Sequence, residues 1–151
     1  MSAAGLEVEA VPAAATYGLR RKVLRGGRAD APVAFPEDDR PGAFHLGAFA
    51  DGRLVAVGSF SPEPTPLRPG KRAVRARGMA VDPGQQSRGI GRVLLEEAVT
   101  RLRAERVEVL WANARDGALP FYRRFGMEVA GDGFVIPEVG PHHVVVMDLA
   151  G

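Results

Sequence analysis

The stretch from Met79 to Gly91, read Met-Ala-Val-Asp-Pro-Gly-Gln-Gln-Ser-Arg-Gly-Ile-Gly, constrains this chain most, because it sets a glycine-bearing turn between a strand and an amphipathic helix. Val74 to Val81 is rich in small and branched residues and reads as a strand, closed by the breaker Asp82-Pro83-Gly84. After the turn, Ile90, Val93, Leu94, Ala98 and Leu102 recur at helical spacing, leaving Glu96, Glu97, Arg101 and Arg103 for solvent. The first turn of a helix has N–H groups without internal partners and carries partial positive charge, so phosphate fits there. Gly89 and Gly91 permit close backbone approach, and Arg88 and Arg92 add fixed charge. The predicted ligand is a phosphate or pyrophosphate.

Two familiar phosphate loops do not fit. A Walker loop ends in Gly-Lys-Ser/Thr, whereas Ile90-Gly91-Arg92 supplies no lysine, and a dinucleotide fingerprint needs a small residue where Leu94 stands.

With 151 residues, 46% of them hydrophobic, the chain has the size of one compact domain, and 1–151 is read as such. No run of about 18 apolar residues exists, and the N-terminus lacks the order of a secretion signal, so no membrane partner and a cytoplasmic location are expected. Cysteine is absent, which removes disulfides, thiolate metal sites and a cysteine nucleophile. The net charge is +2 and arginines are dispersed without interleaved aromatics, which argues against nucleic acid.

Leu6, Val8 and Ala10 alternate with Glu7 and Glu9 as an opening strand, and Thr16 is placed to cap a short helix ending at Gly26-Gly27. Ala43 to Phe49 and Leu54 to Phe60 form a hairpin about Asp51-Gly52. The proline-rich stretch Ser61 to Gly70 is an exposed connection. Val107 to Ala112 is a strand parallel to the one before Asp82, since a helix lies between them. Asp116 is placed to cap a helix with Pro120 in its first turn and Gly126 at its end. Met127 to Ala130, Phe134 to Ile136 and Val144 to Leu149 supply closing strands, and exposed strand edges leave room for a homodimer.

Gln86, Gly89 and Gly91 resemble the Gln/Arg-x-x-Gly-x-Gly/Ala signature of the GNAT acyl-CoA N-acyltransferases. Ala118 to Met127 is similar to a second segment of that family, Ala-x-x-Phe-Tyr-x-x-x-Gly-Phe, with Met127 in place of the final Phe. The resemblance implies an α/β (α+β) fold whose mixed, twisted sheet splays at a parallel strand pair flanked by helices, with acetyl-CoA in the opening and no metal. It implies that the backbone of Met79, Ala80 and Val81 meets the pantetheine arm and that Gln86, Ser87, Arg88, Gly89, Ile90, Gly91 and Arg92 hold the pyrophosphate. Asn113 and Phe121 then line the cofactor channel, and Tyr122 acts as general acid to the leaving thiolate, since a phenol is protonated at neutral pH.

An amine must lose a proton before it attacks a thioester; His142, His143, Glu138 and His45 all remain candidates to accept it. Phe134 through Glu138, Gly140-Pro141-His142 and Met147 look like the C-terminal signature of the ElaA-like branch of GNAT proteins, with a missing Ile and longer spacings. On that likeness Arg20, Asp39, His45, Glu138 and His142 are substrate-pocket candidates. Arg75 and Arg77 share one strand face, where paired guanidinium groups suit an acceptor carboxylate and a solvated face is the plainer reading.

The expected activity is direct transfer of an acetyl group from acetyl-CoA to a primary amine of a small molecule or peptide. The alternatives are a non-catalytic acyl-CoA binding or sensing module of the same fold, and a plain nucleotide-binding α/β domain.

Overall fold

The computed structural model describes residues 5–86 and 88–149. The hairpin signal was the most local, and Asp51 and Gly52 do adopt left-handed φ values of 51° and 80° between two strands, β2 (Phe44–Ala50) and β3 (Arg53–Pro62). Strand β1 (Leu6–Val11) pairs antiparallel with β2, and β4 (Ala73–Val81) antiparallel with β3. Helix α2 (Ile90–Ala104) then carries the chain over to β5 (Val109–Arg115), which lies parallel to β4. The short helix α3 (Leu119–Phe125) leads into an antiparallel closing pair, β6 (Glu128–Ile136) and β7 (Gly140–Asp148), with β7 against β5. One mixed seven-stranded sheet results, in the order β1-β2-β3-β4-β5-β7-β6.

Both sheet faces are covered, because neighbouring strand residues point to opposite sides. Ala56 joins a cluster with Leu94, Leu95, Ala98 and Leu102 of α2 and Leu119 and Tyr122 of α3. Its neighbour Val57 packs instead with Leu19 of helix α1 (Tyr17–Leu19) and with Ala80. Leu94 and Leu95 are wholly buried, each worth about 1.5–3 kcal/mol of burial. The helical spacing foresaw Leu94 and Leu102 correctly; Leu95 and Val99 also face the core, and Val93 is only half-buried.

Three local expectations are corrected. Thr16 does not cap α1: its hydroxyl donates back to the Ala13 carbonyl at 2.6 Å, and the chain enters the helix through a 3-10 turn (Ala13–Thr16) and leaves it in a π-type turn (Arg20–Leu24). Asp116 does not cap α3, because its carboxylate is taken by His143 Nδ1 at 2.7 Å. The first two closing segments are one strand, β6, whose register shifts between Ala130 and Phe134. A Cβ on Gly133 would lie 2.7 Å from the His143 ring, so this part of β6 folds closely over that side chain.

Candidate active site

Gly89 precedes α2 at φ +76, and no side chain among the described residues caps the helix. A residue with a Cβ would be strained there by roughly 1–2 kcal/mol. Among the described residues Val93 is the first to bond back, to the Gly89 carbonyl at 3.1 Å, and the N–H groups of Ile90, Gly91 and Arg92 have no intrahelical acceptor there. The Ile90 side chain belongs to the core, so Ile90 faces this turn through its backbone. Phe121 packs across this turn, its ring 3.4 Å from where a Cβ on Gly91 would be. Gln86 ties the turn to its strand by donating to the Val81 carbonyl at 3.2 Å. Arg88 and Arg92 are exposed, and Arg92 pairs with Glu96 at 3.2 Å. Ser87 lies outside the described residues.

Beside the turn the sheet opens. Strands β4 and β5 pair only from Ala73 with Val109 to Arg75 with Trp111, and beyond that they separate. A bulge in β4 sharpens the divergence: Gly78 and Met79 stand opposite the single residue Gly58, with Gly78 at φ +63. A Cβ on Gly78 would lie 3.0 Å from the Phe35 ring and 3.2 Å from Arg20 Nε, so both dihedral and space call for glycine. A cavity of about 430 Å³ occupies the opening, lined by Met79, Asn113, Tyr122, His142, Arg75 and Arg77 among others. Val74 and Ala76 face α2, which directs the alternating Arg75 and Arg77 to the opposite face, whereas Tyr122 arrives from the α2 side. The cavity therefore runs through the sheet.

Tyr122 is 7% exposed, and burial pushes its hydroxyl up to about 12 from the ordinary 10. No side-chain hydrogen bond engages that hydroxyl among the described residues. His142 is 5% exposed, stacks on Phe134 with ring centroids 5.7 Å apart, and has Nδ1 2.8 Å from the Gly140 carbonyl. A carbonyl only accepts, so Nδ1 bears a proton, and the ring's one position for a lone pair is Nε2.

The two arginines are not a solvated face. Arg77 donates to Glu63 at 2.6 Å and Ser61 at 3.0 Å and pairs with Glu37 at 3.6 Å. Arg75 reaches Glu63 at 3.3 Å and lies over the Trp111 ring, 5.1 Å from its centroid. Trp111 is fixed by its indole N–H, which donates to the Glu63 carbonyl at 2.9 Å. Burial raises the Glu63 carboxyl, but the bonds from Arg77 and Arg40 and the charges of Arg77 and Arg75 outweigh it and hold the group below its usual value.

Four pocket candidates stand elsewhere. Arg20, 1% exposed, forms a two-pronged ion pair with Asp38 at 2.8 Å, donates to Ser59 at 2.7 Å, and stacks on Phe35. Asp38, not Asp39, is its partner; Asp39 is exposed. His45 is buried in the same network, with Nδ1 2.7 Å from Ser59 Oγ and Nε2 3.2 Å from the Asp38 carbonyl. Glu138 is exposed at the β6–β7 turn with φ +66. The sequence reading missed Asp38, Ser59, Glu37 and Glu63, which no local pattern marks. The Gly78 bulge did have a signal, an isolated glycine inside a strand pattern.

The model of the acetyltransferase (GNAT) family matches residues 14–127. The chain is an N-acetyltransferase of the GNAT family. It is 35% identical over 144 residues to the uncharacterized N-acetyltransferase YitI of Bacillus subtilis, covering 95% of this chain and 97% of that one. Among solved structures it is similar to an aminoglycoside 6'-N-acetyltransferase complexed with coenzyme A, at a TM-score of 0.76 and 11% identity, covering 96% of this chain and 98% of that one. It is likewise similar to Escherichia coli ElaA, at a TM-score of 0.74 and 16% identity, covering 93% and 98%. Those two likenesses concern the fold. The GNAT fold supports acyl-CoA binding, and acetyltransferases of this family act on an amine acceptor. Among the described residues no helix is long and apolar enough to cross a membrane.

Proposed function

We propose that this GNAT protein transfers acetyl from acetyl-CoA to a primary amine in a ternary complex, without a covalent enzyme intermediate. The observation that carries this reading is the cavity at the β4–β5 divergence, where Tyr122 and His142 share one wall system beside an uncapped helix N-terminus. The N–H groups of Ile90, Gly91 and Arg92, free among the described residues, suit the pyrophosphate, with Gln86, Arg88 and Gly89 shaping the turn. The β4 edge at Met79, Ala80 and Val81, unpaired on the β5 side, suits the pantetheine arm, and Asn113 and Phe121 flank it. Bound acetyl-CoA supplies the activated thioester.

His142 Nε2 takes a proton from the acceptor ammonium, freeing its lone pair. The nitrogen–carbon bond forms as the carbon–sulfur bond breaks, Tyr122 donates its hydroxyl proton to the departing thiolate, and the surplus proton on the acylated nitrogen returns to the Tyr122 oxygen, leaving N-acetylated amine and free thiol while His142 passes its proton to solvent. A strand N–H at Met79 or Ala80 steadies the carbonyl oxygen as it gains charge. Orientation of amine and thioester in the opening supplies much of the rate.

The test is thiol release by the purified protein with acetyl-CoA and a panel of amines, beside calorimetric titration of acetyl-CoA. Amine-dependent release supports transfer. Binding without release for every amine would instead favour a non-catalytic acyl-CoA sensor, and absence of binding, or equal binding of ADP, would sink the cofactor reading.

A further inference from the structure

Among the described residues the cavity wall carries Arg25, Arg75, Arg77 and Arg115 but one acidic side chain, Glu37, with Glu63 behind it. That balance disfavours an acceptor bearing several positive charges. The cations differ in what they already hold. Arg77 is committed to Glu63, Ser61 and Glu37. Among the described residues Arg75 makes one long hydrogen bond, 3.3 Å to Glu63, and its buried Nε has no partner. Its Nη2 is neither buried nor hydrogen-bonded among the described residues. The Trp111 ring beneath and the Glu63 tether hold this guanidinium in one orientation, so a ligand that engages it spends little ordering entropy. Burial first, and the nearby Arg77 charge second, lower the Arg75 pKa, the mark of a cation short of counter-charge. Around it the wall is apolar, with Val23, Leu24, Phe35, Ile136 and Val139.

We infer that the acceptor is an amino carboxylate with an apolar side chain, and that Arg75 binds its carboxylate while the amine faces the opening. This rests on the acetyl-transfer reading above. The α-ammonium gives up two protons as its nitrogen is acylated and the carbon–sulfur bond breaks, one balancing the thiolate and one released to solvent, so the products are an N-acetyl amino acid and free CoA thiol.

The test compares kcat/KM for leucine, leucinamide, isopentylamine and putrescine by thiol release, in the wild type and in Arg75→Gln. A charge-assisted hydrogen bond is worth enough to change kcat/KM by about 10- to 100-fold. Leucine is therefore expected to exceed isopentylamine by that factor, and Arg75→Gln to collapse the ratio toward one, mainly through KM. Retained acetyl-CoA binding shows that the variant is folded. In the wild type, 4-methylpentanoate should inhibit competitively against the amine, a measurement that needs no variant. If putrescine or isopentylamine equals or exceeds leucine, or 4-methylpentanoate does not compete, the inference falls while acetyl transfer stands. If no amine releases thiol, both fall.

Discussion

Removing one oxygen from Tyr122 separates chemistry from architecture. The ring is 7% exposed and packs in the core with Ala112 and Ala114, while its hydroxyl makes no hydrogen bond among the described residues. Tyr122→Phe keeps the packed ring and breaks no hydrogen bond, so stability should hold within about 0.5 kcal/mol. For a chain of this size that is a Tm change of no more than about 2 °C. Loss of a general acid lowers turnover by about 10²–10⁴, or roughly 2.7–5.5 kcal/mol of barrier. Acetyl-CoA affinity by calorimetry should stay put, because the phenol is not in the pyrophosphate turn. The ionisation direction adds a pH signature. With the folded hydroxyl pushed up to about 12, the acid stays protonated well past neutrality, and kcat should show no alkaline fall due to Tyr122 below about pH 10. The folded value exceeds the unfolded one, so this group's contribution to stability is full below about pH 10 and is lost as pH rises toward the folded value. Single-turnover thiol release beside thermal denaturation would check all of this. A turnover drop under about threefold with chemistry rate-limiting, or a large drop accompanied by a matching fall in Tm, would refute the acid role.

Gly78→Ala puts a side chain at φ +63 against Phe35 and Arg20, and should cost about 2–3 kcal/mol and lower Tm by roughly 5–10 °C; an unchanged Tm would mean the bulge relaxes freely. His142→Ala should lower kcat by about 10² or more, with partial recovery on adding imidazole, and undiminished turnover would remove it as proton acceptor. Burial raises the Asp38 carboxyl, but the Arg20 bond, the Phe35 N–H and the Arg20 charge lower it overall. Its folded pKa lies below the unfolded one, so its stabilisation is present above about pH 4 and lost as pH falls further. Tm measured from pH 7 downward should fall less steeply in Asp38→Asn than in the wild type, and parallel curves would contradict the assignment.

What the sequence determined by itself was local. The Asp51-Gly52 turn, the periodicity of Ile90 to Leu102, the glycine turn before α2 and the Phe121-Tyr122 segment each express short-range backbone or side-chain chemistry, and each stands where those patterns put it. The parallel β4–β5 pair followed because a helix separates the two strands. Thr16 and Asp116 show where local reading fails, since each had a competing partner, the Ala13 carbonyl and His143, that outbid the helix N–H. The acceptor side was decided by tertiary structure. Arg20 and His45 went to a buried network because Asp38, in the turn before β2, and Ser59, on β3, 18 and 39 residues from Arg20, are brought against it by the fold. Arg75 and Arg77 came to differ because Glu63, from the loop after β3, is close to one and far from satisfying the other. Ion-pair partners at such separations are chosen by strand order and register, which no window of sequence contains.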